Sequence, residues 1–139
     1  MSFDKKPKVN VKSVMLTDVS FQKTGIIVTI DVFNPLPLGV TLKDLRFSVN
    51  LLENDSTGEI IGRGFEKDIR INGNGVTEIN VPASLENRSL VSAALGFISG
   101  DVIVKVTGDV TFDLKLFSPV IPFEETKTIS GFSKRFLIE

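Results

Sequence analysis

Apolar and polar residues alternate at every second position through most of this chain, and that pattern restricts the folds open to it. Successive side chains of a β-strand point to opposite faces, so an alternating run predicts a strand with one buried face. Residues 26–32 (IIVTIDV), 45–51 (LRFSVNL) and 102–106 (VIVKV) are three such runs. The alternation therefore predicts a mainly β protein.

Turn-forming residues separate the runs. The segments 34–39 (NPLPLG), 54–58 (NDSTG) and 118–119 (SP) each break an apolar stretch. Proline removes a ladder donor, and Asn and Gly tolerate the positive φ that tight turns need. The segment 72–75 (NGNG) carries the strongest such signal, and it predicts a tight hairpin turn. These breaks divide the chain into about seven strands.

Two irregularities interrupt the alternation. Val9 and Val11 have one parity and Val14 the other, which predicts a bulge near Lys12 and Ser13. Gly108 lies inside a second run, where glycine suggests a bend or bulge at which a strand passes between sheets. Beyond it the same face is predicted to continue through four alternating residues, Val110, Phe112, Leu114 and Leu116.

Residues 87–98 depart from the strand pattern, because their apolar positions recur at helical spacing. Asn87 is a candidate N-cap, and Gly100 follows the predicted end. We therefore predict a two-sheet antiparallel β-sandwich of the immunoglobulin or fibronectin III type, with about seven strands and one α-helix at about 87–98. No linker divides the sequence, so residues 1–139 are expected to form a single domain, with 1–7 as a frayed N-terminal arm.

The composition excludes several function classes. The chain has no His and no Cys, which removes the commonest acid–base group, the thiol nucleophile and the usual transition-metal ligands. Sixteen basic residues balance seventeen acidic ones, so no strong field would attract nucleic acid. The sequence therefore predicts no catalytic residues, no metal site, no cofactor and no enzyme activity.

One acidic segment has a faint similarity to a calcium-binding loop. Counting from Glu53, the twelfth position is Gly64, where such a loop needs a bidentate carboxylate. A solvated hairpin loop is the better interpretation. The chain as given shows no signal peptide or membrane span, and its lack of Cys suits a reducing compartment, so we expect a cytoplasmic protein. An anchor upstream of Met1 would change that expectation.

Several motifs in sequence order resemble one known family. They are 7–11 (PKVNV), 31–35 (DVFNP), 40–49 (VTLKDLRFSV), 104–110 (VKVTGDV) and 121–123 (IPF). Over about residues 7–131 the chain resembles the late embryogenesis abundant group 2 family, whose module is also called the water stress and hypersensitive response (WHy) domain. Asn34, Pro35, Gly108 and Pro122 match family motif positions, and we expect structural roles for them. Many members have a second Asn after the proline, where this chain has Leu36.

The resemblance implies a non-enzymatic, stress-associated protein linked to desiccation. The sequence names no partner: membrane lipid and a client protein are the candidates, and we expect a monomer. Two alternatives come from the residues themselves. A module that binds lipid or another apolar ligand at a membrane surface is suggested by apolar residues outside the core parity, and Leu36, Leu38, Phe33 and Phe117 are its candidate contacts. An adhesion or protein-interaction domain would instead use an edge strand.

Overall fold

The computed structural model describes residues 7–19, 24–53, 56–85 and 102–129. All regular secondary structure in these segments is β-strand, which confirms a mainly β protein. The strands are β1 (Lys8–Val19), β2 (Thr24–Asn34), β3 (Val40–Glu53), β4 (Ser56–Ile71), β5 (Gly75–Leu85), β6 (Val102–Asp113) and β7 (Val120–Ile129). The helix predicted at about 87–98 lies outside the described residues, as do residues 1–6 of the predicted arm. Within the four segments, no helix is long and apolar enough to cross a membrane.

The strands form two antiparallel sheets that are joined at one corner. The first sheet has the order β1-β2-β5, and the second has the order β4-β3-β6-β7. β4 and β5 connect them through two paired positions, Gly62 with Leu85 and Arg63 with Ser84. Pro82, which has no backbone N–H to donate, lies just before this point on β5. The described residues thus form seven strands with antiparallel pairing, as predicted.

Both sheets bury their alternating residues in one shared core. In β2 the predicted face is buried, with Val28, Ile30 and Val32 fully inaccessible to solvent. In the second sheet Leu45, Val49 and Phe112 are equally buried. Each such side chain stabilises the fold by about 1.5–3 kcal/mol relative to an exposed position. The further members of the core are Val11, Val14, Ile26, Leu42, Phe47, Leu51, Ile61, Ile71, Ile79, Val81, Ala83, Val104, Val106, Val110 and Phe123.

A glutamate connects the outer strands of the two sheets. Glu125 on β7 accepts a hydrogen bond from the backbone N–H of Val11 on β1. The register of β1 against β2 shifts between Val11 and Ser13, which confirms the bulge predicted near Lys12 and Ser13. A bulge interrupts regular ladder pairing, and the carboxylate satisfies one backbone donor there. Occupied in this way, the edge of β1 is a poorer template for a foreign strand.

The predicted bend at Gly108 is wrong. Gly108 pairs with Phe47 on β3 and with Phe123 on β7, and neither register shifts there. A Cβ at this position would lie 2.1 Å from the Arg46 carbonyl oxygen and 2.7 Å from the Phe47 Cβ. Glycine is therefore needed for the close approach of β6 to β3, and the strand stays within its sheet.

Two other predictions also need correction. The apolar face of β6 does not extend to Leu116, because the strand ends at Asp113 and Leu116 is 93% exposed in the following loop. The turn at 72–75 exists, with Asn74 at a φ of 50°. It is not a simple hairpin turn, however, because the strands next to it do not pair with each other there. The preceding strand, β4, pairs with β3, and the following strand, β5, pairs with β2. The turn carries the chain from one sheet to the other.

Candidate functional site

The sequence motif at Asn34 lies where the chain crosses between the sheets. Asn34 is the last residue of β2 and only 1% exposed. Its Nδ2 donates to the Leu38 carbonyl oxygen at 3.0 Å and to the Asn72 carbonyl oxygen at 3.0 Å. Its Oδ1 accepts a hydrogen bond from the Leu36 N–H at 3.0 Å. One buried amide thus bonds both crossover loops, 34–39 and 72–74.

Backbone contacts hold the same two loops together. The Asn74 N–H donates to the Leu36 carbonyl oxygen at 2.7 Å. A Cβ at Gly73 would lie 2.6 Å from the Pro37 carbonyl oxygen, so only glycine permits this approach. Pro35 is buried beside Asn34. We call this arrangement, in which the Asn34 side chain and the Gly73–Pro37 contact join loops 34–39 and 72–74, the loop clamp.

A third loop lies at the same end of the molecule as the loop clamp. Thr41 at the start of β3 pairs with Asp113 at the end of β6, so the β6–β7 loop, 114–119, lies on the side of residues 34–39. That loop closes through a hydrogen bond from the Leu114 N–H to the Phe117 carbonyl oxygen at 3.1 Å. Lys115 has a φ of 71°, and its N–H donates to the Asp113 side chain at 3.0 Å.

Three of the four predicted apolar contacts belong to the two loops at this end. Leu38 is 73% exposed, Phe117 is 62% exposed and Leu36 is 37% exposed. Phe33 directly precedes Asn34 but belongs to the outer face of the first sheet, where it pairs with Lys8 and Val76. It lines a shallow depression of about 510 Å³ that none of the other three candidates lines. A single groove for all four side chains is therefore not formed.

The other two motif positions lie in the second sheet. Gly108 packs against Phe47 as described above, and Pro122 is exposed on β7 opposite Asp109. β7 is an outer strand, where a missing backbone donor is tolerated. Beside them lies an open depression of about 960 Å³, in which Arg46 Nε contacts Asp109 Oδ1 at 3.2 Å. Sequence reasoning missed this depression because its residues are distant along the chain.

The described residues contain no cluster of three or more His, Cys, Asp or Glu that could hold a metal ion. Among their ionisable groups, Lys12 has a clear perturbation. A hydrogen bond from Lys12 Nζ to Glu78 Oε2, at 2.6 Å, raises the pKa of Lys12 above its ordinary value. Both side chains are well exposed, and exposed pairs of this kind contribute little to stability.

The described chain is thus a two-sheet β protein whose most buried polar side chain, Asn34, closes a loop clamp. Residues 29–127 match the sequence model of the family described as late embryogenesis abundant protein. Because this match covers well over half of the chain, the protein belongs to that family. The resemblance found in the sequence is confirmed at this level.

The chain is similar to proteins from an archaeon and from a plant. The chain is 26% identical over 118 residues to the uncharacterised protein MJ1138 of Methanocaldococcus jannaschii. The aligned region covers 85% of this chain and 67% of that protein. The chain is also similar to the solution structure of AT1g01470 from Arabidopsis thaliana, with a TM-score of 0.71, 21% identity and coverage of 91% of this chain and 83% of that one. A solution structure of a protein described as late embryogenesis abundant, At2g46140.1, has a TM-score of 0.67 at 17% identity, with coverage of 92% and 72%.

Proposed function

We propose that this protein is a non-enzymatic, protective component of the water-stress response, of the group 2 type with a WHy domain. The observation that carries the proposal is the family match over residues 29–127, since this family is generally non-enzymatic. The absence of His and Cys from the sequence supports the same conclusion, because it removes the most common catalytic groups near neutral pH.

The proposed domain is an immunoglobulin- or fibronectin III-like sandwich that comprises residues 1–139. Its support is the strand order, with β1-β2-β5 in one sheet and β4-β3-β6-β7 in the other around a shared core. Two antiparallel sheets of three and four strands around one core support this assignment, because sandwiches of this class have that architecture. In this proposal Asn34, Pro35, Gly108 and Pro122 are structural, since Asn34 bonds both crossover loops and Gly108 permits a close strand approach.

Protection by such a protein would come from a stable folded body. Its buried apolar core keeps the chain folded, whereas polar, weakly hydrophobic chains remain disordered. We propose that it acts as a cytoplasmic monomer on client proteins or membrane lipid. The Cys-free sequence suits a reducing compartment. The occupied edge of β1, where Glu125 bonds Val11, disfavours the alternative of an adhesion domain that pairs through that strand.

A drying assay tests the protective function. A labile enzyme such as lactate dehydrogenase is dried and rehydrated with this protein, with an equal mass of serum albumin, or with the core variant Phe112→Ala. Removing this fully buried ring should cost about 3–5 kcal/mol and raise the unfolded fraction. We expect the wild-type protein to preserve more enzyme activity than albumin does, and the variant to lose protection as it unfolds. Equal recovery with albumin and wild type would contradict the proposal.

A further inference from the structure

The end of the molecule that carries the loop clamp also presents four exposed apolar side chains. Leu36 and Leu38 belong to the β2–β3 loop, and Leu116 and Phe117 belong to the β6–β7 loop. Leu116 is 93% exposed and Leu38 is 73% exposed, which is unusual for residues of this type. We call these four side chains the apolar tips. Exposed apolar side chains that share one end of a fold commonly mark an interaction site.

Both loops hold the apolar tips in fixed positions. The loop that contains Leu36 and Leu38 is held by hydrogen bonds with the Asn34 side chain and with the Asn74 N–H. The Leu114 N–H bonds the Phe117 carbonyl oxygen across the other loop, and Asp113 fixes the backbone at Lys115. Binding through preorganised loops loses little conformational entropy, so even a small apolar surface can contribute to affinity.

Charge at this end favours an anionic partner. Residues 34–39, 72–74 and 114–119 contain no Asp or Glu, whereas Lys115 lies between the apolar residues of the β6–β7 loop. Lys8 and Arg70 are exposed on neighbouring strand ends, since Lys8 pairs with Phe33 and Arg70 pairs with Thr41. Asp113 is also exposed at this level, because it pairs with Thr41 as Arg70 does, and its side chain accepts the Lys115 N–H. The three cations Lys8, Arg70 and Lys115 outnumber this carboxylate. Exposed cations beside apolar side chains match a surface of phosphate groups above acyl chains.

The shape of the surface favours a bilayer over other occupants. A small apolar ligand needs a concave site, and neither the depression beside Arg46 nor the one beside Phe33 is lined by an apolar tip. We propose that the apolar tips dock the protein end-on at the surface of an anionic lipid bilayer. This docking rests on the proposed function, in which membrane lipid is one of the two partners, and its failure would leave the result of the drying assay on a labile enzyme unchanged.

Vesicle sedimentation tests the docking. Wild-type protein is spun with vesicles of phosphatidylcholine alone or of equimolar phosphatidylcholine and phosphatidylglycerol. We expect it to partition onto the anionic vesicles. The triple variant Leu38→Ser, Leu116→Ser, Phe117→Ser should have a vesicle partition coefficient at least about tenfold lower. Phe65→Ser is the matched control, because Phe65 is 57% exposed but lies in the middle of β4, away from this end. It should bind like wild type.

Outcomes of that experiment separate the bilayer from other occupants. Absence of wild-type binding, equal binding to phosphatidylcholine alone, or an equal loss in Phe65→Ser would each overturn the proposal. The proposal would also be overturned if the wild-type protein formed a dimer in sedimentation equilibrium, the triple variant were monomeric, and neither protein bound vesicles. Urea unfolding of the free variants checks that they remain folded, as expected for substitutions at exposed sites.

A fluorescent reporter tests the depth of insertion directly. The chain contains no Trp, so Phe117→Trp introduces a single indole at one apolar tip, and Phe65→Trp introduces one on the sheet face. Anionic vesicles should shift the emission of the Phe117→Trp protein to the blue and expose it to quenching by brominated acyl chains. The Phe65→Trp emission should not change. An unshifted Phe117→Trp emission, or equal quenching of both reporters, would refute insertion of this end.

Discussion

Replacing Asn34 by alanine removes the side chain that bonds both crossover loops. Its amide makes three hydrogen bonds of 3.0 Å each, with the backbone of Leu36, Leu38 and Asn72. At a net value of roughly 0.5–1.5 kcal/mol for each bond, their loss destabilises the fold by roughly 1.5–4.5 kcal/mol. Leu38 and Asn72 are exposed, so water can replace part of the lost bonding. We therefore expect a decrease of about 2–3 kcal/mol in the free energy of unfolding.

Far-UV circular dichroism is the suitable assay, because the chain contains no Trp or Tyr to report by fluorescence. The expected decrease corresponds to a fall in Tm of roughly 6–12 °C for a chain of this size. Asn10→Ala is the control, since Asn10 is exposed on β1 and should change stability by less than about 0.5 kcal/mol. If both variants lost the same stability, the loop clamp would not hold the crossovers as argued.

An aspartate at position 34 adds a test through pH. Asn34→Asp keeps the acceptor for the Leu36 N–H but places a carboxylate against the carbonyl oxygens of Leu38 and Asn72. Burial and these oxygens disfavour its charged form, so its folded pKa should exceed the unfolded value of about 3.9. Stability relative to wild type is then greatest below that value and falls as pH rises through the folded pKa. A difference from wild type that is the same at pH of about 3 and about 7 would refute the assigned amide orientation.

Substitutions at three further positions test other parts of the fold, with the free energy of unfolding measured by urea titration. Gly108→Ala should destabilise by more than about 3 kcal/mol, because its Cβ would overlap the β3 backbone, and a loss under about 1 kcal/mol would contradict the close approach. Glu125→Ala should cost about 1–2 kcal/mol by leaving the Val11 N–H without this acceptor, whereas Glu125→Gln keeps a side-chain oxygen and should retain most of the stability. Phe112→Ala should lower the free energy of unfolding by about 3–5 kcal/mol, and Phe112→Leu should lower it less because it leaves a smaller cavity. Equal losses in the two variants would argue against tight packing around this ring.

The sequence by itself determined the strands and their buried faces. Alternation predicted that Ile30 and Val49 point inward, and both are fully buried, because a strand with one covered face must place its apolar residues at every second position. The change of parity near Lys12 located the β1 bulge for the same reason. Turn residues at 34–39 and 72–75 located two breaks correctly, since Pro and the positive φ of Asn74 are local properties of the chain.

Only the tertiary structure decided what these local features connect. A turn sequence does not specify whether its flanking strands pair with each other, so the crossover at 72–75 depended on β5 pairing with β2. The alternating sequence pattern continues to Leu116, but the strand ends at Asp113. The backbone at Lys115 has a positive φ, which a lysine in the sequence does not signal. The roles of Asn34 and Gly108 likewise depend on residues far along the chain, which a local pattern cannot bring together.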